Sequence, residues 1–202
     1  MNTPSHAILN VALLSQISPS AGAIAFGAIL PDLPIFGFYL WAKWIARLPE
    51  KTIWGEAYYA PVMQNIVAFF HSIPIAFLGW LMSWFFGWEI GQIIALSCIL
   101  HSLEDFPVHN SDAHRHFFPL SDYRFISPVS YWDPKHYGSI AAAVELSLVA
   151  MATVWLFPRV ELWWVRVVLV ATNGLYGWGY YRFYGRYSSG VATRSRRVKK
   201  TL

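Results

Sequence analysis

The chain has 202 residues, of which 56% are hydrophobic, 18% aromatic and 13% charged. Soluble domains usually carry about a quarter charged residues, so this composition excludes an ordinary soluble domain and favours an integral membrane protein. The net charge of +4 comes largely from a basic carboxyl-terminal tail that directly follows a hydrophobic segment. This position favours a cytoplasmic anchor on anionic lipid over nucleic-acid binding. The single cysteine, Cys98, excludes an intramolecular disulfide and a zinc site made of several cysteines.

Two apolar segments of different length open the chain. Residues 7–17 are too few to span a bilayer and predict an amphipathic or re-entrant helix. The run 20–46 is long enough, but Pro31 and Pro34 interrupt it, which predicts a short helix, a turn and a second helix. Asp32 is therefore expected at a helix break.

The remaining segments predict four more helices and one long loop. Residues 61–86 have the length that a bilayer span needs, and residues 90–103 form a shorter helix. Residues 106–138 are polar, rich in histidine and without periodicity, which is uncommon for a loop unless it carries function. Residues 139–157 and 160–181 are apolar again and have only a short connection, so they predict a helical hairpin.

Together these segments predict an all-α fold, a polytopic transmembrane helical bundle with the long polar loop between the fourth and fifth main helices. We expect a single membrane domain over residues 1–202. Within it, residues 3–125 hold a metal-site region, residues 139–183 form the closing hairpin and residues 184–202 form the basic tail. The expected location is the cell inner membrane, crossed several times, with the carboxyl terminus in the cytoplasm and the lipid bilayer as partner.

Several histidines and aspartates lie inside or at the ends of the apolar runs. Ionisable groups in hydrocarbon are costly and usually face a bundle interior or mark a functional site. His101 and Asp105 are four residues apart, so on a helix both side chains lie on one face. With Asp32 and His71 they make a set of two histidines and two carboxylates, to which His6 could add a further ligand. Zinc accepts such a mixture of nitrogen and oxygen ligands, as do manganese and iron.

The polar loop offers four further contributors to this site, namely His109, Asp112, His114 and Arg115. A solvated loop is the plainer interpretation of these residues. Arg115 and Arg124 could also hold a phosphate, because a guanidinium matches its oxygens bidentately. Glu104 lies on another helix face and is expected to meet solvent or Arg115. Glu145 and Arg166, in the closing hairpin, are expected to form a structural ion pair.

Five motifs follow one another in an order that is more specific than any one of them. They are Thr3-Pro-Ser-His6, Gly27-Ala-Ile-Leu-Pro-Asp32, His71-Ser72, His101-x-x-x-Asp105, and His116-Phe-Phe-Pro-Leu-Ser121 followed by Tyr123-Arg-Phe125. In this order they resemble the landmarks of the YdjM-like membrane-bound metal-dependent hydrolases. That family is distantly similar to the zinc-dependent phospholipase C and P1 nuclease group of helical phosphoesterases.

The resemblance covers about residues 3–125 and implies a ligand set. By it, Asp32, His71, His101 and Asp105 bind metal, with His6 as an additional ligand. We also expect His101 and Asp105 to take part in catalysis. The chain departs from the family pattern in two places. Pro34 stands where a second acidic residue is usual, and apolar residues 68–70 stand in place of the usual His-Arg-Gly.

The resulting hypothesis is a membrane-embedded metal-dependent hydrolase that uses a divalent metal, with zinc favoured, to activate water against a phosphoester or lipid-linked substrate. A membrane-associated substrate is expected as partner, and no nucleic acid. The chain has no Gly-x-Ser-x-Gly motif, which disfavours a serine hydrolase. The alternative is a non-enzymatic membrane protein, such as a metal-ion or proton carrier, although inverted repeats typical of transporters are not evident.

Overall fold

A computed structural model describes residues 1–185, and this part of the chain is all-helical. It divides into two compact units, residues 1–130 and the residues from Tyr131 onward. Most of the predicted basic tail, residues 186–202, lies outside the described residues.

The first unit holds seven α-helices. They are α1 (Thr3–Leu14), α2 (Ala21–Ile29), α3 (Leu33–Leu40), α4 (Glu50–Thr52), α5 (Pro61–Phe70), α6 (Ile73–Phe85) and α7 (Glu89–Asp105). A 3-10 turn, Leu30–Asp32, separates α2 from α3, and π-helical turns cover Trp41–Ile45 and Ile53–Ala57. The predicted break around Pro31 is present as this 3-10 turn, with Pro31 at its second residue, inside a helical stretch that continues from Ala21 to Ile45.

Helix α7 is the centre of the first unit, since it packs against α6, α2 and α1. Gly27 allows α2 to approach closely: a Cβ atom at this position would lie 2.4 Å from the carbonyl oxygen of Ile94. Polar contacts fix the register of the three helices. The buried Asn10 amide donates to both the carbonyl and the hydroxyl of Ser97 at 2.9 Å, and the Ser97 hydroxyl donates to Ile24 O at 2.7 Å.

The predicted span 61–86 is two helices, α5 and α6, with a 44° bend between them. The break falls at His71 and Ser72. The Ser72 hydroxyl accepts a hydrogen bond from Ile75 N at 3.1 Å and so caps the start of α6. Pro74 lies in the first turn of α6, where a missing N–H costs no hydrogen bond.

Two helical stretches among the described residues are long and apolar enough to cross a membrane, Ala21–Ile45 and Gly138–Leu156. The bent pair of α5 and α6 would make a third if it forms one span. The number of membrane crossings and their direction stay predictions.

The second unit holds α8 (Gly138–Leu156) and α9 (Trp163–Tyr180), which pack against each other. The Asn173 amide on α9 donates to Thr153 Oγ1 on α8 at 2.8 Å. Arg166 donates to Val160 O at 2.7 Å and lies over the Phe157 ring, so it is held at the connection between the helices. Glu145 is twelve residues before Phe157, about 18 Å along α8. The expected ion pair with Glu145 is therefore not what holds Arg166.

Candidate metal centre

Breaks and ends of helices bring four polar side chains of the first unit together. Asp32 lies in the 3-10 turn after α2, His71 lies at the break between α5 and α6, and His101 and Asp105 lie in the last turns of α7. His71, His101 and Asp105 are fully or almost fully buried. The structure thus places the four residues that the sequence singles out in one buried cluster.

The two imidazoles converge on the two carboxylates. His101 Nε2 lies 3.2 Å from Asp105 Oδ2 and 3.8 Å from Asp32 Oδ1. His71 Nε2 lies 3.5 Å from Asp32 Oδ1 and 3.9 Å from Asp105 Oδ2. Each of the two Nε2 atoms is therefore within 4 Å of both carboxylates.

Hydrogen bonds to the backbone fix which nitrogen of each ring carries the proton. His71 Nδ1 donates to Val67 O at 3.0 Å, and His101 Nδ1 donates to Ala28 O at 2.7 Å. A carbonyl oxygen can only accept, so in the neutral ring Nε2 is left with a bare lone pair. Both Nε2 atoms are buried without a hydrogen-bond partner among the described residues. A lone pair that faces a carboxylate oxygen is repelled by its negative charge, and a cation between the two atoms would remove that repulsion.

His6 forms a second group of ligands with His101 and Asp105. Its ring stacks on that of His101 with centroids 3.8 Å apart, and its Nε2 lies 3.0 Å from Asp105 Oδ1. Its Nδ1 lies 2.7 Å from Glu104 Oε2, an arrangement that orients many metal-binding histidines. Burial alone would lower the pKa of His6, but Asp105 and the hydrogen bonds to Asp105 and Glu104 raise it to about 9.

The polar loop folds over the cluster and adds two histidines. His114 forms a third group with His71 and Asp105, and its ring centroid lies 4.1 Å from that of His71. Burial, together with the neighbouring His71 and His109, holds the pKa of His114 well below its usual range, so the ring is neutral and able to bind a metal. His109 lies 3.1 Å from Asp105 Oδ1 through Nε2 and 3.2 Å from Asp112 Oδ2 through Nδ1.

Two arginines of the loop, which the sequence also suggested for binding a phosphate, make contacts within the first unit. Arg115 donates through Nη2 to Gln64 O at 2.9 Å and to Asn65 Oδ1 at 2.6 Å, and through Nη1 to Asp122 at 2.7 Å. Arg124 donates to Ala113 O at 2.9 Å and to Gln64 Oε1 at 3.0 Å. These donors fasten the loop to α5 and to itself, so the guanidinium groups are committed to structure.

Glu104, Thr3 and Met1 also make contacts at this cluster, and the sequence did not predict them. Glu104, expected to meet solvent or Arg115, instead pairs with His6. The Thr3 hydroxyl donates to Asp32, and the α-amino group of Met1 lies 2.5 Å from Asp105 Oδ1. The spacing of residues in the sequence cannot predict either contact, because both contacts join residues that are far apart in the chain.

His116 and Ser72 support the loop. His116 is buried, its Nδ1 lies 3.3 Å from His71 O, and burial together with His71 lowers its pKa to about 4. The Ser72 hydroxyl donates to Phe118 O, so it is engaged as a structural group. Both contacts hold the loop against the break between α5 and α6.

The donor set fits a divalent cation, because it combines neutral imidazole nitrogens with carboxylates in the proportions that zinc, manganese and iron accept. The identity of the metal is not fixed by these residues. Comparison with known proteins finds no matching family model, no significantly similar curated protein and no significantly similar solved structure.

Proposed function

We propose that this chain is a membrane-embedded metal-dependent hydrolase, related to the YdjM-like family, that cleaves a phosphoester by activation of water. One observation carries the proposal: two buried imidazole nitrogens with bare lone pairs face two carboxylates. Asp32, His71, His101 and Asp105 would hold the ion, for which zinc is our first candidate. A divalent cation in such a site supplies Lewis-acid chemistry, which activates water and polarises a phosphoryl or acyl oxygen.

Access to water favours a catalytic role over a structural one. The side chains of His71 and His101 are fully buried, whereas those of Asp32 and Glu104 are each 14% exposed and that of Asp112 is 19% exposed. Of the two carboxylates in the cluster, Asp32 therefore reaches the surface, whereas Asp105 is only 2% exposed. Catalytic metal sites keep a position open to water or substrate, while structural sites are closed by four protein ligands.

The overlapping ligand groups also suit a reaction centre. His71, His101 and Asp105 each belong to two of the three groups of described residues able to hold a cation, so more donors converge than one tetrahedral ion requires. His114, with its neutral ring, would add a ligand next to Asp105, and His6 would add another once the metal displaces the proton that its raised pKa retains. No serine nucleophile is needed, and the Ser72 hydroxyl is already engaged with Phe118 and Ile75.

The test combines metal content with turnover. The parent and three variants, His101→Ala, Asp105→Ala and Asp122→Ala, are purified in detergent, and bound metal per chain is measured by elemental analysis. Asp122 is the control, because its side chain is 83% exposed and its ion pair with Arg115 lies outside the cluster. Hydrolysis of bis(p-nitrophenyl) phosphate is then measured with added Zn²⁺, Mn²⁺ or Fe²⁺.

We expect the parent and Asp122→Ala to bind metal and hydrolyse the diester, and the other two variants to lose both. Full metal content in a folded Asp105→Ala variant would contradict the proposed site. Metal binding without turnover, together with metal-ion or proton flux in proteoliposomes, would instead favour the carrier.

A further inference from the structure

An apolar cleft of about 490 Å³ lies between α6 and α7, beside the candidate metal centre. Resting on the proposed function, we infer that this cleft binds the hydrocarbon chain of a membrane lipid and so presents the lipid's phosphate ester to the metal centre. The substrate class would then be a long-chain lipid phosphoester. The main reason for this inference is that the face of α7 that lines the cleft also carries the proposed metal ligands.

The face of α7 that lines the cleft is also the face that carries the ligands. Going along the helix, this stripe consists of Gly91, Ala95, Cys98, His101 and Asp105, spaced as one side of a helix requires. The cleft occupies the stripe from Gly91 to Cys98, which is about 10 Å of helix. His101 is the next turn, about 4.5 Å beyond Cys98.

Residues of α6 and of the turn after α2 also place one end of the cleft next to the metal ligands. On α6 the cleft runs from Phe86 through Gly79 to Ser72, which directly follows His71. Leu30, two residues before Asp32, lines the same end. At this end the Ser102 hydroxyl donates to His71 O at 2.9 Å and ties α7 to the break before α6. One end of the cleft is thus formed by the immediate neighbours of the metal ligands.

The lining of the cleft selects an apolar occupant. Among the described residues that line it, none carries a charge, and the polar atoms of Ser72 and Cys98 are engaged with Phe118 O and Gly27 O. Polar ligands would therefore find few partners inside, whereas hydrocarbon would remove apolar surface from water. Membrane lipid is the source of long hydrocarbon chains around α5 and α6, which together satisfy the criteria for a span.

The size of the cleft favours a chain over a helix of a second copy. Its volume of about 490 Å³, spread over the roughly 20 Å of α6 from Ser72 to Phe86, corresponds to a cross-section of roughly 25 Å², about a quarter of that of an α-helix with its side chains. A transmembrane helix is too wide for such a slot, whereas a single extended acyl or isoprenyl chain is not.

Gly79 offers a way to fill the cleft without disturbing the fold. A Cβ atom at Gly79 meets nothing within 4 Å, so Gly79→Leu places its side chain into the cleft. Gly37→Leu is the matched control, because Gly37 is also helical, also has open space around an added Cβ atom and does not line the cleft. Ala76→Leu is a second filling variant on the same face of α6.

The probe is hexadecylphosphonate with a photoreactive diazirine near the end of its chain, which cannot be hydrolysed at its carbon–phosphorus bond. Metal-loaded parent protein is irradiated with the probe, and adducts are mapped by mass spectrometry. We expect adducts at Met82, Phe86 or Trp88, the far end of the cleft. Excess unlabelled hexadecylphosphonate should compete for these adducts, and butylphosphonate should not.

Gly79→Leu and Ala76→Leu should lower the competable adduct roughly tenfold or more, while Gly37→Leu leaves it unchanged. Both filling variants should keep the parent's metal content and its hydrolysis of the soluble diester, which has no long chain. Adducts confined to the outward residues Phe77, Leu78 and Leu81, without competition, would overturn the inference and indicate bulk lipid contact. Competable adducts in the cleft of a protein without diester hydrolysis would uphold the cleft and contradict the hydrolase.

Discussion

Asp105 connects the candidate ligand groups, because its two carboxylate oxygens face different imidazoles. Oδ2 lies nearest to His101 and His71, at 3.2 and 3.9 Å, and Oδ1 lies 3.0 Å from His6 and 3.1 Å from His109. Its side chain is only 2% exposed. A carboxylate that is buried in this way needs positive charge or hydrogen-bond donors, and its neighbours are the α-amino group of Met1, at 2.5 Å, and the four imidazoles.

Glu104 is expected to matter for metal affinity although it is not a ligand. Its carboxylate holds His6 by the Nδ1 atom at 2.7 Å, and loss of such an outer partner typically lowers metal affinity about 10- to 100-fold. Glu104→Gln should therefore weaken Zn²⁺ binding by that order and leave the thermal stability of the metal-free protein nearly unchanged. Competition with a chelator of known affinity measures the effect.

Glu89→Gln is the control for this prediction. Glu89 lies in the first turn of the same helix and is exposed, so its replacement should leave Zn²⁺ affinity unchanged. Equal affinities in Glu104→Gln and the parent would show that the contact with His6 does not orient a ligand.

At the scale of helices, the position of Asp32 depends on how closely α2 approaches α7. Gly27→Ala should separate these helices, because the new Cβ atom would lie 2.4 Å from Ile94 O and 2.8 Å from Ser97 Cβ. Overpacking of this kind typically costs about 1–3 kcal/mol. We expect a lower thermal unfolding midpoint and a weaker affinity for Zn²⁺.

Gly22→Ala on the same helix tests the cause. Nothing lies within 4 Å of a Cβ atom at Gly22, so this change should be neutral or raise stability by up to about 1 kcal/mol through helix propensity. If both variants lose the same stability, loss of glycine rather than helix approach is responsible.

The polar loop is held by Arg115, whose side chain is 13% exposed. Arg115→Ala leaves Gln64 O and Asn65 Oδ1 without their donor, and we expect a loss of about 1–3 kcal/mol. Asp122→Ala removes only the exposed partner, which typically costs less than about 1 kcal/mol. Thermal unfolding of both variants separates the contact with α5 from the ion pair; equal losses would assign the effect to the ion pair.

At the scale of the whole molecule, the basic tail predicts a cytoplasmic carboxyl terminus. Positive residues next to a membrane span are retained on the cytoplasmic side. Alkaline phosphatase fused after Leu202 should therefore be inactive, and green fluorescent protein fused there should be fluorescent. Phosphatase inserted after Pro158, in the connection of the closing hairpin, should be active. An active fusion after Leu202 would contradict the prediction; the tail itself lies outside the described residues.

The all-helical character and the break at Pro31 could be predicted from sequence, because both depend on neighbouring residues. Apolar runs of bilayer length and proline geometry are local properties. The lengths of single helices were less predictable. The run 61–86 divides at His71 and Ser72, where contacts from the distant residues His116 and Phe118 help to fix the break.

The identity of the central polar residues was determined by the sequence alone, since a histidine or aspartate in an apolar run must find a partner. The four-residue spacing of His101 and Asp105 likewise determines that both side chains lie on one face of α7. Which residues these side chains contact across the fold was decided only by the tertiary structure. Glu104 and Asp105 are adjacent in sequence, yet one faces a single histidine and the other faces four. Their difference depends on the approach of α1 and the loop to α7, and that approach is set by long-range packing.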